Sequence, residues 1–100
     1  HPQAELIGTQ QTGHTGLLSF IVKGTAEQAK NLVDSLKVFE IGCSWGGFES
    51  LALCPLYAAS GEELDFLGLG EEGRSMIRIH CGLEGADVLI EDLKQAFERI

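Results

Sequence analysis

The chain is poor in the residues that staple or stiffen small proteins. It has two prolines and three cysteines, Cys43, Cys54 and Cys81, with no CxxC spacing among them. An odd set of that kind does not make a disulfide framework and fits reduced thiols in the cytoplasm. Histidine is scarce as well, and no HxxxH pair supplies ligands at metal-binding spacing. Basic residues number seven against fifteen acidic ones, a formal charge of -8. That field repels phosphate backbones and anionic lipid headgroups, which argues against nucleic acid and membrane partners. No stretch approaches the ~20 continuous apolar residues of a membrane span, and the first residues have neither the basic run nor the apolar core of a signal peptide. An initiator Met is missing too, which predicts a piece cut from a longer polypeptide.

What is present is enough for one domain. One hundred residues, 44% of them hydrophobic, hold a single compact unit over 1–100 with one core and no second domain. Residues 1–16, rich in Gly, Thr and Gln, read as a lead-in loop. Leu17-Leu18-Ser19-Phe20-Ile21-Val22 has strand length and composition. Thr25 and Gln28 form both members of a capping box, and Ala26, Ala29, Leu32, Val33 and Leu36 recur at helical spacing, which predicts a helix over 25–36. Strands are expected over 38–41 and 50–54, separated by the turn-forming Trp45-Gly46-Gly47 and ended by Pro55. The acidic, glycine-punctuated stretch 58–73 offers one helical turn at 62–67.

Residues 75–81 alternate as a strand with two unlike faces: Ile77, Ile79 and Cys81 on one, Met76, Arg78 and His80 on the other. The first face is core, and the second needs another explanation. Leu89, Ile90, Leu93, Ala96, Phe97 and Ile100 then make one helical stripe running to the C-terminus. The order strand, helix, three strands, helix predicts an α+β, two-layer domain: a mainly antiparallel sheet with two helices packed on one face. Charge is uneven, net -2 over 1–60 and net -6 over 61–100, as a solvated acidic helix face produces.

Two constellations stand out chemically. Arg78, a guanidinium in mid-strand between Met76 and His80, presents a rigid donor fork that matches a carboxylate. Pattern alone favours a solvated sheet-face charge. Ser44-Trp45-Gly46-Gly47 combines backbone able to approach a ligand closely, hydroxyl and amide donors, and the one Trp of the chain as a pocket wall. Pattern alone favours a plain turn connecting two strands, with the Trp packed over it. His14, His80 and the cysteines have no ligand spacing, and no base can be placed beside Cys43, Cys54 or Ser44 to make a nucleophile. Gly68-Leu69-Gly70 is a fragment of a phosphate loop next to Glu71 and Glu72, which repel phosphate.

Three strings, taken in order, tip both readings. Thr15-Gly16-Leu17-Leu18-Ser19-Phe20, Ser44-Trp45-Gly46-Gly47-Phe48-Glu49-Ser50-Leu51 and Ile77-Arg78-Ile79-His80-Cys81-Gly82-Leu83-Glu84 resemble the C-terminal domain of the cysteine and methionine metabolism family of pyridoxal-phosphate enzymes. The opening His1-Pro2 is similar to the pair that precedes this domain, so the resemblance covers essentially the whole chain. Ser-Trp-Gly-Gly with Arg-x-His-x-Gly-Leu-Glu looks most like the cystathionine β-lyase branch, since the γ-synthases and γ-lyases usually carry Ser-Leu-Gly-Gly and Arg-x-Ser-x-Gly-Ile-Glu. Cys43 departs from the pattern, standing where similar β-lyases tend to have Tyr, which leaves substrate preference open.

The resemblance implies an α,β-elimination with pyridoxal phosphate as electron sink, cystathionine giving homocysteine, pyruvate and ammonia. It implies that Arg78 grips the α-carboxylate of an amino-acid substrate and that Ser44 and Trp45 line the same end of the site. The catalytic lysine and the cofactor-holding residues belong in the family to a large domain of the same polypeptide. This chain by itself is therefore expected to bind no cofactor and to be inactive, its four lysines serving as solubilising charges. The parent enzyme is expected to be a homo-oligomer. Two readings of other classes compete: a free-standing amino-acid-binding or regulatory module, and a structural domain whose bare sheet face only dimerises.

Overall fold

The computed structural model describes residues 4–6, 16–42 and 49–100. A 3-10 turn, Ala4–Leu6, lies near the start. Strand β1, Leu17–Ile21, runs antiparallel to β4, Met76–His80, which in turn pairs antiparallel with β3, Leu51–Leu53. A two-residue strand β2, Glu40–Ile41, lies parallel to β3, and the sheet order is β1-β4-β3-β2. Helices α1, Ala26–Ser35, and α3, Ala86–Phe97, pack against each other on one face of the sheet. The expected α+β architecture is what forms; the turn expected at 62–67 is a short helix α2, Gly61–Phe66, and a 3-10 turn, Glu71–Ser75, is added before β4.

Local chemistry accounts for most of these elements. The Thr25 hydroxyl accepts the Gln28 N–H at 3.1 Å while the Gln28 side chain accepts the Thr25 N–H at 2.9 Å, the reciprocal pair that starts α1. α2 has half of that arrangement, with the Glu63 N–H donating to the Ser60 hydroxyl at 3.1 Å. α3 is entered through Gly85 at φ 102°, a conformation that favours glycine.

The long-range exceptions are instructive. Strand character expected over 38–41 survives only at Glu40 and Ile41, because the backbone N–H groups of Lys37, Val38 and Phe39 all donate to the carboxylate of Asp92 in α3, at 2.8, 2.7 and 3.0 Å. Donors committed to a side chain cannot join a ladder. Asp92 is thus on the buried side of α3, 4% exposed, where the apolar stripe had put no charge. Ile90 turns outward instead. β2 and β3 are parallel, so the two strands are not the arms of a hairpin, as a plain turn at 45–47 would have required.

The core lies between sheet and helices. Ile77 and Ile79 of β4, Ala52 of β3, Ala29, Leu32 and Val33 of α1 and Leu89 and Ala96 of α3 are buried together. Residues directly opposite across a ladder share a face. The pairs Leu17↔His80↔Leu51 and Ser19↔Arg78↔Leu53 therefore stand on the side away from both helices, as does Ile21 opposite Met76.

Candidate functional site

Arg78 occupies the middle of that helix-free face. It is half-buried, with Ser19 on one side and Leu53 on the other, and His80 follows two residues along toward the strand end on the same face. Around this one guanidinium the face is built mostly of Leu17, Ile21, Leu51, Leu53 and Met76, an apolar frame that weakens screening of a charge bound against it. The strand alternation expected of 75–81 is borne out in burial: Ile77 and Ile79 inward, Arg78 and His80 outward.

The C-terminal end of β4 is where the three sequence strings meet. Gly16, from the first, accepts the Cys81 N–H through its carbonyl at 2.8 Å. A Cβ on Gly16 would stand 2.9 Å from the Cys81 carbonyl oxygen and 3.5 Å from the His80 ring, so this close approach requires glycine. Ser50, at the end of the second string, is 1% exposed. Its N–H and its hydroxyl donate to the two carboxylate oxygens of Glu84 at 3.0 and 2.5 Å, and its hydroxyl oxygen accepts the Gly82 N–H at 2.8 Å. These bonds hold the Glu84 carboxyl below the ordinary carboxylate range: first the Ser50 hydroxyl, then the Ser50 and Glu84 amides, then the nearby His80. Ser50 and Glu84 were quoted in the strings but given no role. The signal that could have found them is a hydroxyl and a carboxylate, each next to a strand end, in motifs already expected to meet.

Neither described thiol is an activated nucleophile. Burial raises Cys81, with the Glu84 charge adding to it, and burial raises Cys54, whose Sγ lies 3.6 Å from the Arg74 carbonyl oxygen. Ser44 and Trp45, with Cys43, lie outside the described residues, so of the three expected binding residues the structure describes Arg78 alone. An apolar groove of about 600 Å³ runs between α3 and β1, lined by Leu18, Phe20, Ile90, Leu93 and Phe97. It opens on the opposite side of the sheet from Arg78 and offers no charge to a carboxylate. No helix among the described residues is long and apolar enough to cross a membrane.

The arrangement is a four-stranded sheet with an arginine on its helix-free face, and comparison with known proteins gives the chain a family. The profile described as "Cys/Met metabolism PLP-dependent enzyme" matches residues 1–98, and the chain belongs to that family. It is 41% identical over 102 residues to human cystathionine gamma-lyase, covering 98% of this chain and 24% of that protein. It is 40% identical over 94 residues to cystathionine beta-lyase of Haemophilus influenzae, covering 89% and 23%. Among solved structures, a Campylobacter jejuni protein described as an O-acetylhomoserine (thiol)-lyase, with pyridoxyl-lysine monophosphate in its chain, superposes with a TM-score of 0.68 at 38% identity, over 83% of this chain and 18% of that one. The chain spans about a quarter of the length of the curated relatives it matches.

The chain's own amines do not form a cradle for the family's cofactor. Lys23, Lys30, Lys37 and Lys94 are all exposed, and Lys30 is paired with Asp34 at 3.4 Å. None is an enclosed amine whose proton could be removed by burial near neutral pH.

Proposed function

We propose that the whole protein is a pyridoxal-phosphate-dependent carbon-sulfur lyase that cleaves cystathionine by β-elimination, and that this chain is the part of it that binds the substrate carboxylate. The observation that carries the reading is the setting of Arg78: one cation, fixed in mid-strand, on a largely apolar face that the domain's own helices leave open. A planar guanidinium held by a strand offers a carboxylate two parallel N–H donors at a set angle. Apolar neighbours exclude water from the pair and lower the local dielectric, so the grip both binds and orients. Ser44 and Trp45 extend this end of the site. The large domain of the same polypeptide covers the open face and holds the cofactor, which supplies the electron sink for the elimination. The parent is a cytoplasmic homo-oligomer, and the 1–100 chain by itself is inactive.

Trp45 and His80 in the motif strings favour the β-lyase branch, while the 41% identity to a gamma-lyase favours the neighbouring reaction. The two differ in which carbon-sulfur bond breaks. Incubation of the whole protein with cystathionine is expected to release homocysteine, pyruvate and ammonia. Release of cysteine and 2-oxobutanoate makes it a γ-lyase, and turnover of neither kind overturns the lyase reading.

A further inference from the structure

Resting on the carboxylate-binding reading above, we propose that Glu84 is a positioning residue for Arg78, acting through Ser50 as a latch on the open end of the β3–β4 pair. Ser50 immediately precedes β3, and Gly82 lies two residues beyond β4. Every polar group of Ser50 is committed there. Its N–H and hydroxyl donate to Glu84, its hydroxyl oxygen accepts from Gly82, and its carbonyl accepts the Glu40 N–H at 3.0 Å. The ring Ser50–Glu84–Gly82 thus closes the ladder just past the pair Leu51↔His80, which Ala52↔Ile79 separates from Leu53↔Arg78 on the same face.

The latch sits where β3 is weakest. With three residues on β3 and two on β2, the ladder has little of its own to resist fraying at that end. A guanidinium fork must be held to within about 0.5 Å and 10–20° to engage a carboxylate productively. An anionic acceptor binding two donors of one residue at once provides such a restraint. The Glu84 side chain is exposed, yet its carboxylate is shared with a serine that is almost wholly buried, so the latch is set at the surface and acts inward. Glutamine at this position keeps one oxygen for the Ser50 N–H. Its NH2 then faces a hydroxyl whose hydrogen is left to find another acceptor, so half of the latch is lost.

The test uses the full-length enzyme carrying Glu84→Ala, Glu84→Gln, Ser50→Ala, the double variant Glu84→Ala/Ser50→Ala, and Arg78→Ala as a reference. Expected for Glu84→Ala is a rise in KM for cystathionine of roughly 10- to 100-fold, the scale of a misplaced binding group, with kcat within threefold of the original and the cofactor absorbance unchanged. Glu84→Gln should fall between. Ser50→Ala should match Glu84→Ala, and the double variant should be no worse than either single. Against an amine substrate without the α-carboxylate, Glu84→Ala and the parent should be equally slow, an equality that general destabilisation would break. Hydrogen exchange should quicken in peptides covering 50–53 and 78–82. If Arg78→Ala lowers kcat/KM steeply while Glu84→Ala keeps KM within twofold and exchange is unchanged, the latch is overturned and the carboxylate reading stands. If Arg78→Ala itself is harmless, the carboxylate reading falls and takes the latch with it. Should Glu84→Ala fail to accumulate as folded enzyme, a parental KM in Glu84→Gln overturns the proposal equally.

Discussion

Asp92 and Glu84 are carboxylates that use the same chemistry on two regions of one small sheet, and they differ in what they secure. Asp92 projects from α3 on the covered side, is buried, and gathers the N–H groups of residues 37, 38 and 39 together with a Gln95 side-chain donor at 3.1 Å. It ties the helix layer to the chain leaving α1, and its backbone partners lie 53 to 55 residues away in sequence. Glu84 follows β4, is exposed, and binds the residue that opens β3, beside the face carrying Arg78. One carboxylate replaces missing strand hydrogen bonds inside the fold. The other fastens two loops at the rim of the face that carries Arg78. A buried charge held by backbone donors serves stability, because removing it orphans those donors. An exposed carboxylate on a hydroxyl serves geometry, since water can take its place energetically but not positionally.

The sharpest break between the two regions comes at Arg78. With the guanidinium replaced by Ala in the whole enzyme, the substrate carboxylate is left unpaired in an apolar frame, at a cost of roughly 2–5 kcal/mol in transition-state binding. The expected fall in kcat/KM is about two to three orders of magnitude or somewhat more. Lys should restore only part of it, being a point charge on a flexible stem. The hydrophobic core should pack as before, because Arg78 stands on the other side of the sheet from it. A kcat/KM within threefold of the original returns Arg78 to a solvated face charge. Asp92→Ala is expected to do the reverse: a loss of about 3 kcal/mol of stability, from one buried and two partly buried N–H groups deprived of an ionised acceptor, read by chemical denaturation. KM should change little in whatever fraction stays folded. A large KM effect without loss of stability would erase the distinction between the regions.

Reading the sequence reached those features whose cause is local. The capping box at Thr25 and Gln28 places α1, and the period-2 alternation of 75–81 places Arg78 opposite the core before any contact is known. α2 was within reach too: Ser60 and Glu63 stand at capping-box spacing, and the expected single turn at 62–67 becomes a helix starting one residue earlier. β2 was not, because what shortens it is a carboxylate more than fifty residues away. The same acid misled the reading of α3, where an apolar stripe at i, i+3, i+4 spacing gave no reason to bury Asp92 in preference to Ile90. Parallel pairing of β2 with β3 was equally illegible, since register and direction depend on partners and not on either strand alone. At the site, Arg78 was legible as a donor fork, while the assembly of the three strings at the end of β4 required the fold.

Acid offers the finest comparison of the two carboxylates, because both titrate below their ordinary range for different balances of causes. Burial by itself would raise the Asp92 carboxyl, but the amides of Lys37, Phe39 and Val38 and the Gln95 side chain outweigh it, and the net direction is down. A carboxyl depressed in the folded state and ordinary in the unfolded state leaves the unfolded chain binding more protons at low pH. The stability it contributes is therefore complete above the unfolded value of about 3.9 and is lost as pH falls through that value toward the folded one. Between pH 6 and 8 neither group should give any slope. Below about pH 5 the parent should lose stability progressively, and Asp92→Asn, less stable at neutral pH, should lose less on the way down. Glu84 moves in the same direction, by the Ser50 hydroxyl first, but from an exposed position where solvent screens it. Glu84→Gln should therefore flatten the acid limb less than Asp92→Asn does. Equal flattening by both variants would mean that the rim latch and the internal clamp carry the same load in folding, and the two regions would differ only in where they are.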